Sequence, residues 1–512
     1  MKRKSRVALR VSRFIILALS IIIQAIILWV IFFKLNEQHT LLYLISSIIG
    51  ALMFLFIVNR DQASVYKIPW VILFCTFPVL AVVIYFTFGN LKLSRGYVKK
   101  LNSVFENNYN DENKTQAILN EVKEFDGQKY GQMKYLTSVC SLSVYNDSFI
   151  DFLPSGERYF ESVKQQLLLA KKYIFIECFI IEEGVMWNEI YDILRQKVGE
   201  GVEVYVMYDD VGSMPRLDKN YYLELEKEGI KCVKFNPFRP IVSIIHNNRD
   251  HRKIIVVDGE VGFVGGINIA DEYINVKKPF GRWKDCAVIL KGGAVDSLVK
   301  MFCQLYNVAS KSKLEVEKFL EKSHQIYNNY GYVLPYMDGP APVFKEHIAE
   351  NAYLNVINKA VDYLYITSPY LVVDNNIIDA LKNASQRGVD VKLILPEIPD
   401  KKVISVMTRS NYERLIKHGV KIYEYKGGFI HSKTFVSDDV GIVGSINLDY
   451  RSLVHHFECA VLTCNNDCVI KIKKDFENTC NNECKIVTKE MAKQNAFSKL
   501  LKNILNIFSP LF

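Results

Sequence analysis

A chain of 512 residues, half of them hydrophobic and 12% aromatic, has the length for two or three domains and the apolar material for their cores, which excludes a disordered polypeptide. The formal net charge of +9 is modest and unevenly placed, with Lys2, Arg3, Lys4, Arg6, Arg10 and Arg13 crowded ahead of the first apolar run. That placement is a membrane signature before it is a nucleic-acid one.

Phe14 to Phe33 is interrupted only by Ser20 and Gln24, enough to cross a hydrocarbon core of roughly 30 Å as a helix. A cleavable signal peptide fits less well, because the run is long and no small-x-small site follows it. Leu41 to Val58 and Pro69 to Phe88 are further apolar runs, so residues 1–90 are expected to form a membrane anchor of two or three transmembrane helices. Three crossings from a cytoplasmic N-terminus end outside, whereas Lys92, Arg95, Lys99 and Lys100 favour the inside. One run is therefore expected to be re-entrant or interfacial, with the chain beyond residue 90 on the cytoplasmic side of the membrane.

Residues 91–140 turn polar and read as a linker with one or two helices. A globular pattern then begins. Glu161 to Lys171 has helical periodicity and leads into the strand Tyr173 to Phe179; a helix over Trp187 to Val198 and a strand over Val202 to Met207 follow. The order returns as helix Ala352 to Ala360, strand Tyr363 to Ser368, helix Ile377 to Gln386 and strand Val389 to Leu395. Gly201-Val-Glu-Val-Tyr-Val answers Gly388-Val-Asp-Val-Lys-Leu. The agreement is an internal duplication, too long in period for a solenoid. It implies two similar α/β domains, at 141–330 and 331–512, each a mixed sheet covered by helices. The closing Leu500 to Phe512, apolar at helical spacing beside Lys499 and Lys502, suggests an interfacial helix.

Each half reaches the same motif, His251-x-Lys253-x4-Asp258 and His431-x-Lys433-x4-Asp438, offset by 180 positions (431 − 251). In a strand alternate side chains share a face, so each His-x-Lys aims an imidazole and an ammonium the same way. Downstream, Val264-Gly-Gly266-Ile-Asn268 answers Val443-Gly-Ser445-Ile-Asn447, and Trp283-Lys-Asp285-Cys-Ala-Val answers Phe457-Glu458-Cys-Ala-Val. One such motif is a weak signal; two inside a long repeat are a strong one.

Two imidazoles, two ammoniums and two carboxamides suit a phosphodiester. Lys253, Lys433, Asn268 and Asn447 can surround its non-bridging oxygens, one histidine can attack phosphorus, and the other can protonate the leaving alcohol. This chemistry calls for no cofactor and no metal. The nucleophile's second ring nitrogen needs a partner that fixes its tautomer, and the matching carboxylates Asp285 and Glu458 are assigned that role. Asp258 and Asp438 belong to the catalytic motif, but five positions beyond the lysine and at a turn they are expected to be largely structural.

Eleven cysteines, several in strand-like apolar runs (Cys178, Cys286, Cys459), fit a reducing compartment. Cys464-x3-Cys468 with Cys480-x3-Cys484 has the spacing of a four-thiolate metal site, but surface thiols fit the polar surroundings better.

The doubled motif with its Gly-Gly/Ser-x-Asn follower resembles the phospholipase D superfamily over about residues 140 to 490. Within it the chain looks like the bacterial cardiolipin synthases, through Ile176-Glu177-Cys-Phe-Ile180, Ser368-Pro369-Tyr370, Gly444-Ser-Ile-Asn447-Leu-Asp449-Tyr-Arg451-Ser and the closing Phe508-Ser-Pro-Leu. That resemblance implies that two phosphatidylglycerol molecules become cardiolipin and glycerol through a phosphohistidine, with His251 the nucleophile and His431 the acid. An extra apolar run before the usual pair departs from the pattern and bears on topology. The competing readings are a membrane-bound phospholipase D or other phosphatidyltransferase, a nuclease, and a lipid-binding scaffold with an inactive site. No long basic face with interleaved aromatics supports nucleic acid, and the intact His, Lys and Asn of both repeats oppose decay.

Overall fold

The computed structural model describes residues 40–60, 64–86, 95–105, 111–238, 248–327 and 331–493, with Ile26 and Leu505. The chain divides into two compact units, the larger comprising Arg95–Pro237 and Asn248–Lys502. The run expected over Phe14 to Phe33 and the expected C-terminal interfacial helix lie outside the described residues, apart from Ile26 and Leu505.

In the smaller unit, helices Thr40–Val58, Ser64–Thr76 and Pro78–Ile84 pack around Ile57, Phe74, Ala81 and Tyr85. The apolar run Pro69 to Phe88, a candidate for a span or for the re-entrant segment, is broken in two: Pro78 has no N–H to continue the preceding helix and sits instead at the first turn of the next. Helix Thr40–Val58 has 19 residues, about 28 Å at 1.5 Å per residue against a core of roughly 30 Å. Among the described residues no helix is long and apolar enough to cross a membrane.

In the larger unit the first repeat forms a seven-stranded sheet. Its strands are β1 (Phe149–Leu153), β2 (Tyr173–Cys178), β3 (Glu203–Asp209), β4 (Lys231–Phe235), β5 (Ile254–Val257), β6 (Val261–Gly265) and β8 (Ala287–Lys291), while β7 (Arg282–Lys284) lies apart. The order is β1-β8-β6-β5-β2-β3-β4, with β2, β3 and β4 parallel and β5 antiparallel to β2.

The second repeat repeats this plan. Its strands are β9 (Tyr332–Asp338), β10 (Tyr363–Thr367), β11 (Asp390–Pro396), β12 (Lys421–Tyr425), β13 (Gly428–Ile430), β14 (Thr434–Ser437), β15 (Val440–Gly444), β16 (Glu458–Cys464) and β17 (Cys484–Ile486). The sheet order is β17-β12-β11-β10-β14-β15-β16-β9, with β17 as an added edge, and β13 pairs with β7 of the first repeat. The sequence reading of two duplicated α/β sheets is the observed architecture.

The strands are Val-, Ile- and aromatic-rich and buried on both faces, as parallel strands covered by helices are. Trp187, Ile190 and Leu194 of helix Val185–Gly199 pack on Ile174, Ile176 and Val206 of the first sheet. Residues 95–140, read as linker, form three helices, Arg95–Phe105, Glu112–Phe125 and Gly127–Cys140. They bury Leu101, Val122 and Leu136 completely, and Phe105 stacks on Phe457 of the second repeat at 6.0 Å.

Candidate active site

Both His-x-Lys segments lie beyond the C-terminal ends of the parallel strands, where an open α/β sheet forms its crevice. Because β5 runs antiparallel to β2 with Glu177 opposite Ile254, the residues before β5 emerge past Cys178; β14, with Thr367 opposite Thr434, does the same. Each segment is pinned to the other repeat. The His251 N–H donates to the Phe457 carbonyl at 2.9 Å, and the His431 N–H donates to the Lys284 carbonyl at 2.7 Å. Those two carbonyls belong to the residues immediately before Glu458 and Asp285.

The carboxylates are thereby delivered across the interface. Nδ1 of His251 lies 2.9 Å from Oε1 of Glu458, and Nδ1 of His431 lies 2.6 Å from Oδ2 of Asp285. With the carboxylates ionised, each Nδ1 carries the proton and donates it, leaving each Nε2 as the free ring nitrogen. Lys433 Nζ stands 2.7 Å from His431 Nδ1 and donates to the His431 carbonyl. Lys253 donates to the carbonyl of His251, and its Nζ lies 5.4 Å from the centroid of the Phe179 ring.

Burial sets the electrostatics. Both imidazoles are held well below their usual basicity, by desolvation first and then by the ammoniums of Lys253 and Lys433. Desolvation lowers Lys253 and brings Lys433 down to about 8. Asp285 is pushed up to about 6 by burial against the opposing pull of Lys433.

Asn268 is buried and held, accepting from the Ile180 N–H at 3.0 Å and donating to the Tyr273 hydroxyl at 2.5 Å. Asn447 is buried too, and its Oδ1 has no hydrogen-bond partner among the described residues. Asp258 and Asp438 stand apart from the cleft, so their inclusion among catalytic motif residues is corrected. The Asp258 carboxylate accepts from the N–H groups of Lys171, Lys172 and Tyr173, and Asp438 accepts from those of Val361, Asp362 and Tyr363. Both adopt positive φ at the turn after the strand and tie the preceding helix-to-strand loop down.

Several participants carried no chemical role in the sequence reading. Gly266 leaves room for Asp285, since a Cβ there would stand 2.3 Å from Oδ1. At the equivalent position of the second repeat Ser445 donates its hydroxyl to Glu458. His456, two residues before Glu458, is buried with its ring centroid 5.4 Å from that of His251. Trp283, two residues before Asp285, is buried with its ring 5.4 Å from that of His431. The signal was available, because extended backbone places residues i and i+2 on one side. Behind the first motif, Arg249 pairs with Asp209 at 2.8 Å and Arg252 with Glu177 at 2.7 Å, both fully enclosed. Such paired buried charges have no counterpart in the neutral Ser432 of the second motif.

One ligating atom from each of His251, His456 and Glu458 lies within 4.8 Å of the others, close enough in geometry for a metal ion. The ammoniums of Lys253 and Lys433, whose charge both histidines feel, make this a poor fit for a divalent cation and a good one for an anion. The four cysteines of the suspected thiolate site gather no such set among the described residues. All eleven cysteines are free; Cys464, Cys468 and Cys480 are buried, which corrects their reading as surface thiols.

The family described as cardiolipin synthase, PLD-like domain, matches the chain twice, over residues 163–294 and 353–480. An uncharacterized protein of Streptococcus mutans serotype c is 41% identical over 462 residues, 89% of this chain and 99% of that protein. Cardiolipin synthase 2 of Bacillus anthracis is 33% identical over 473 residues, 91% of this chain and 89% of its own. The crystal structure of phosphatidylserine synthase from Haemophilus influenzae Rd KW20 aligns with a TM-score of 0.54 at 15% identity, covering 71% of this chain and 93% of that one, a likeness of fold.

Proposed function

The chain belongs to the cardiolipin synthase family with PLD-like domains, and from that membership we propose that it moves the phosphatidyl group of one phosphatidylglycerol onto a second, forming cardiolipin and releasing glycerol. The observation that carries the mechanism is the crossed pairing of His251 with Glu458 and of His431 with Asp285, in one cleft that also holds Lys253 and Lys433.

His251 Nε2 attacks phosphorus while the bond to the glycerol oxygen breaks, and His431, which takes up a proton once the bound phosphate's negative charge offsets the two ammoniums that depress it, gives that oxygen its proton. The Lys253 and Lys433 ammoniums, with Asn268 and Asn447, stabilise the charge on the non-bridging oxygens. A hydroxyl of the second phosphatidylglycerol then loses its proton to His431 as it displaces His251 from phosphorus. Glu458 and Asp285 hold the tautomers through both steps. The substrates need no nucleic-acid surface and the steps need no cofactor.

Membrane attachment completes the proposal. Its supports are the apolar run Phe14 to Phe33, which follows a basic N-terminus, and the exposed Leu44, Ile48, Leu52 and Leu55 of helix Thr40–Val58. The catalytic part, divided near residue 330, is assigned to the cytoplasmic side, where the ten free thiols beyond residue 90 are at home.

Incubating the purified chain with headgroup-labelled and acyl-labelled phosphatidylglycerol tests the reaction. Equal yields of cardiolipin and glycerol are expected. Phosphatidic acid alone would mean hydrolysis, and no turnover would mean a scaffold.

A further inference from the structure

His456 has no role so far, yet it is among the more unusual groups in the molecule. Its residue is 8% exposed, close to the 7% of His251 and the 8% of His431, and neither ring nitrogen has a hydrogen-bond partner among the described residues. Nδ1 stands 3.7 Å from Oε1 of Glu458, beyond hydrogen-bond reach. Burying two unpaired ring nitrogens is costly, and in a native structure such a group asks for a partner not yet in place.

The first repeat does the same at the matching position. Trp283 precedes Asp285 by two residues as His456 precedes Glu458; its ring lies against His431, and its indole nitrogen is likewise buried without a partner among the described residues. Each repeat thus sets an unpaired ring N–H two residues before the carboxylate, beside the catalytic histidine of the other repeat. Burial holds His456 down to about 3, so the ring is neutral at working pH and carries one N–H and one lone pair. A neutral imidazole adds no further cation to a site that already holds two ammoniums. What it supplies is a directional donor, and non-bridging phosphate oxygens are acceptors only.

We propose that His456 is a catalytic residue that donates a ring N–H to a non-bridging oxygen of the phosphoryl group in transfer, with Trp283 as its counterpart from the other repeat. The inference rests on the His251–His431 cleft being the phosphatidyl-transfer site. The proton stays on His456 throughout: it forms no covalent bond and exchanges no charge with substrate. As with other preorganised donors, its worth lies in the transition state, so its loss lowers kcat more than it raises KM.

The test compares His456→Phe, His456→Asn and Trp283→Phe in the full chain, assayed with phosphatidylglycerol in mixed micelles. His456→Phe keeps the ring and removes the donor; a kcat loss of about 10²-fold with KM within about threefold is expected. His456→Asn restores an N–H donor and is expected to recover at least tenfold of that loss. Trp283→Phe should lose about tenfold or more. The pH limbs of kcat/KM should stay in place in all three, because His456 does not titrate in the cycle. A His456→Phe enzyme within threefold of the parent overturns the proposal. Equal loss in the Phe and Asn variants, or a moved pH limb, also overturns it and assigns His456 to positioning Glu458. Glycerol release and cardiolipin formation by the parent enzyme are followed in parallel. A parent that yields only phosphatidic acid defeats the synthase reading while leaving the donor effect measurable.

Discussion

Nδ1 of His251 and the carboxylate of Glu458 are 207 positions apart in the chain and 2.9 Å apart in space. The mirrored pair, His431 and Asp285, is 146 positions apart and 2.6 Å apart. Each repeat supplies a histidine to one pair and a carboxylate to the other, so neither repeat holds a complete catalytic histidine.

That crossing makes Glu458→Gln and Asp285→Asn informative. The amides keep the shape but present a donor where the imidazole needs an acceptor, favouring the wrong tautomer. Transfer is expected to fall about 10²- to 10⁴-fold in each, with cooperative unfolding retained. Activity within a few-fold of the parent would show that the carboxylates do not govern the tautomers.

The two histidines have separable roles. His251→Ala should show no glycerol release, since no phosphorus–nitrogen bond can form. His431→Ala should slow transfer by about 10²- to 10⁴-fold, and quenching in alkaline detergent, which spares a phosphorus–nitrogen bond, after a pulse of phosphorus-labelled lipid should show whatever label is bound on His251. Label retained by the His251→Ala protein would reverse the assignment.

The pH profile follows from two buried groups. Asp285, raised to about 6, is an anion above that pH and loses its charge below it. Lys433, lowered to about 8, is a cation below that pH and loses its charge above it. The profile of kcat/KM is therefore expected to be bell-shaped, with an acid limb near 6 and an alkaline limb near 8 that belong to the coupled cluster. A flat profile from pH 5 to 10 would contradict the charges assigned here.

Chelation tests the nature of the site. Dialysis against EDTA is expected to leave the rate unchanged. A rate lost to EDTA and regained with a divalent cation would recast His251, His456 and Glu458 as metal ligands.

Asp258 and Asp438 act on stability. Removing three backbone acceptor contacts with Asp258→Ala is expected to cost about 1–2 kcal/mol, read as a lower denaturation midpoint at an unchanged slope. The kcat of the folded protein should be kept. A large kcat loss without destabilisation would return the residue to the chemistry.

Much of this was legible in the chain. The period-2 alternation of His251-Arg-Lys253 and its return at His431-Ser-Lys433 announced two strands with paired polar groups, and the aligned followers announced two copies of one sheet. The three helices between residues 95 and 140 were hidden by polar composition, because only a narrow stripe of each, such as Leu101, Val122 and Leu136, is buried.

What the sequence by itself determined is the inventory: two histidines, two lysines, two carboxylates and two asparagines in duplicate register, suited to phosphoryl transfer. Only the tertiary structure decided the partners. Strand periodicity states which side chains share a face, but which of them meet across an interface depends on how two sheets dock. Here the bridge between Asp250 and Phe457 and the hydrogen bond from His431 to Lys284 set each histidine against the other repeat's carboxylate. The same docking brings His456 beside His251 and Trp283 beside His431, while Asp258 and Asp438 are left at the far turns to hold the loops.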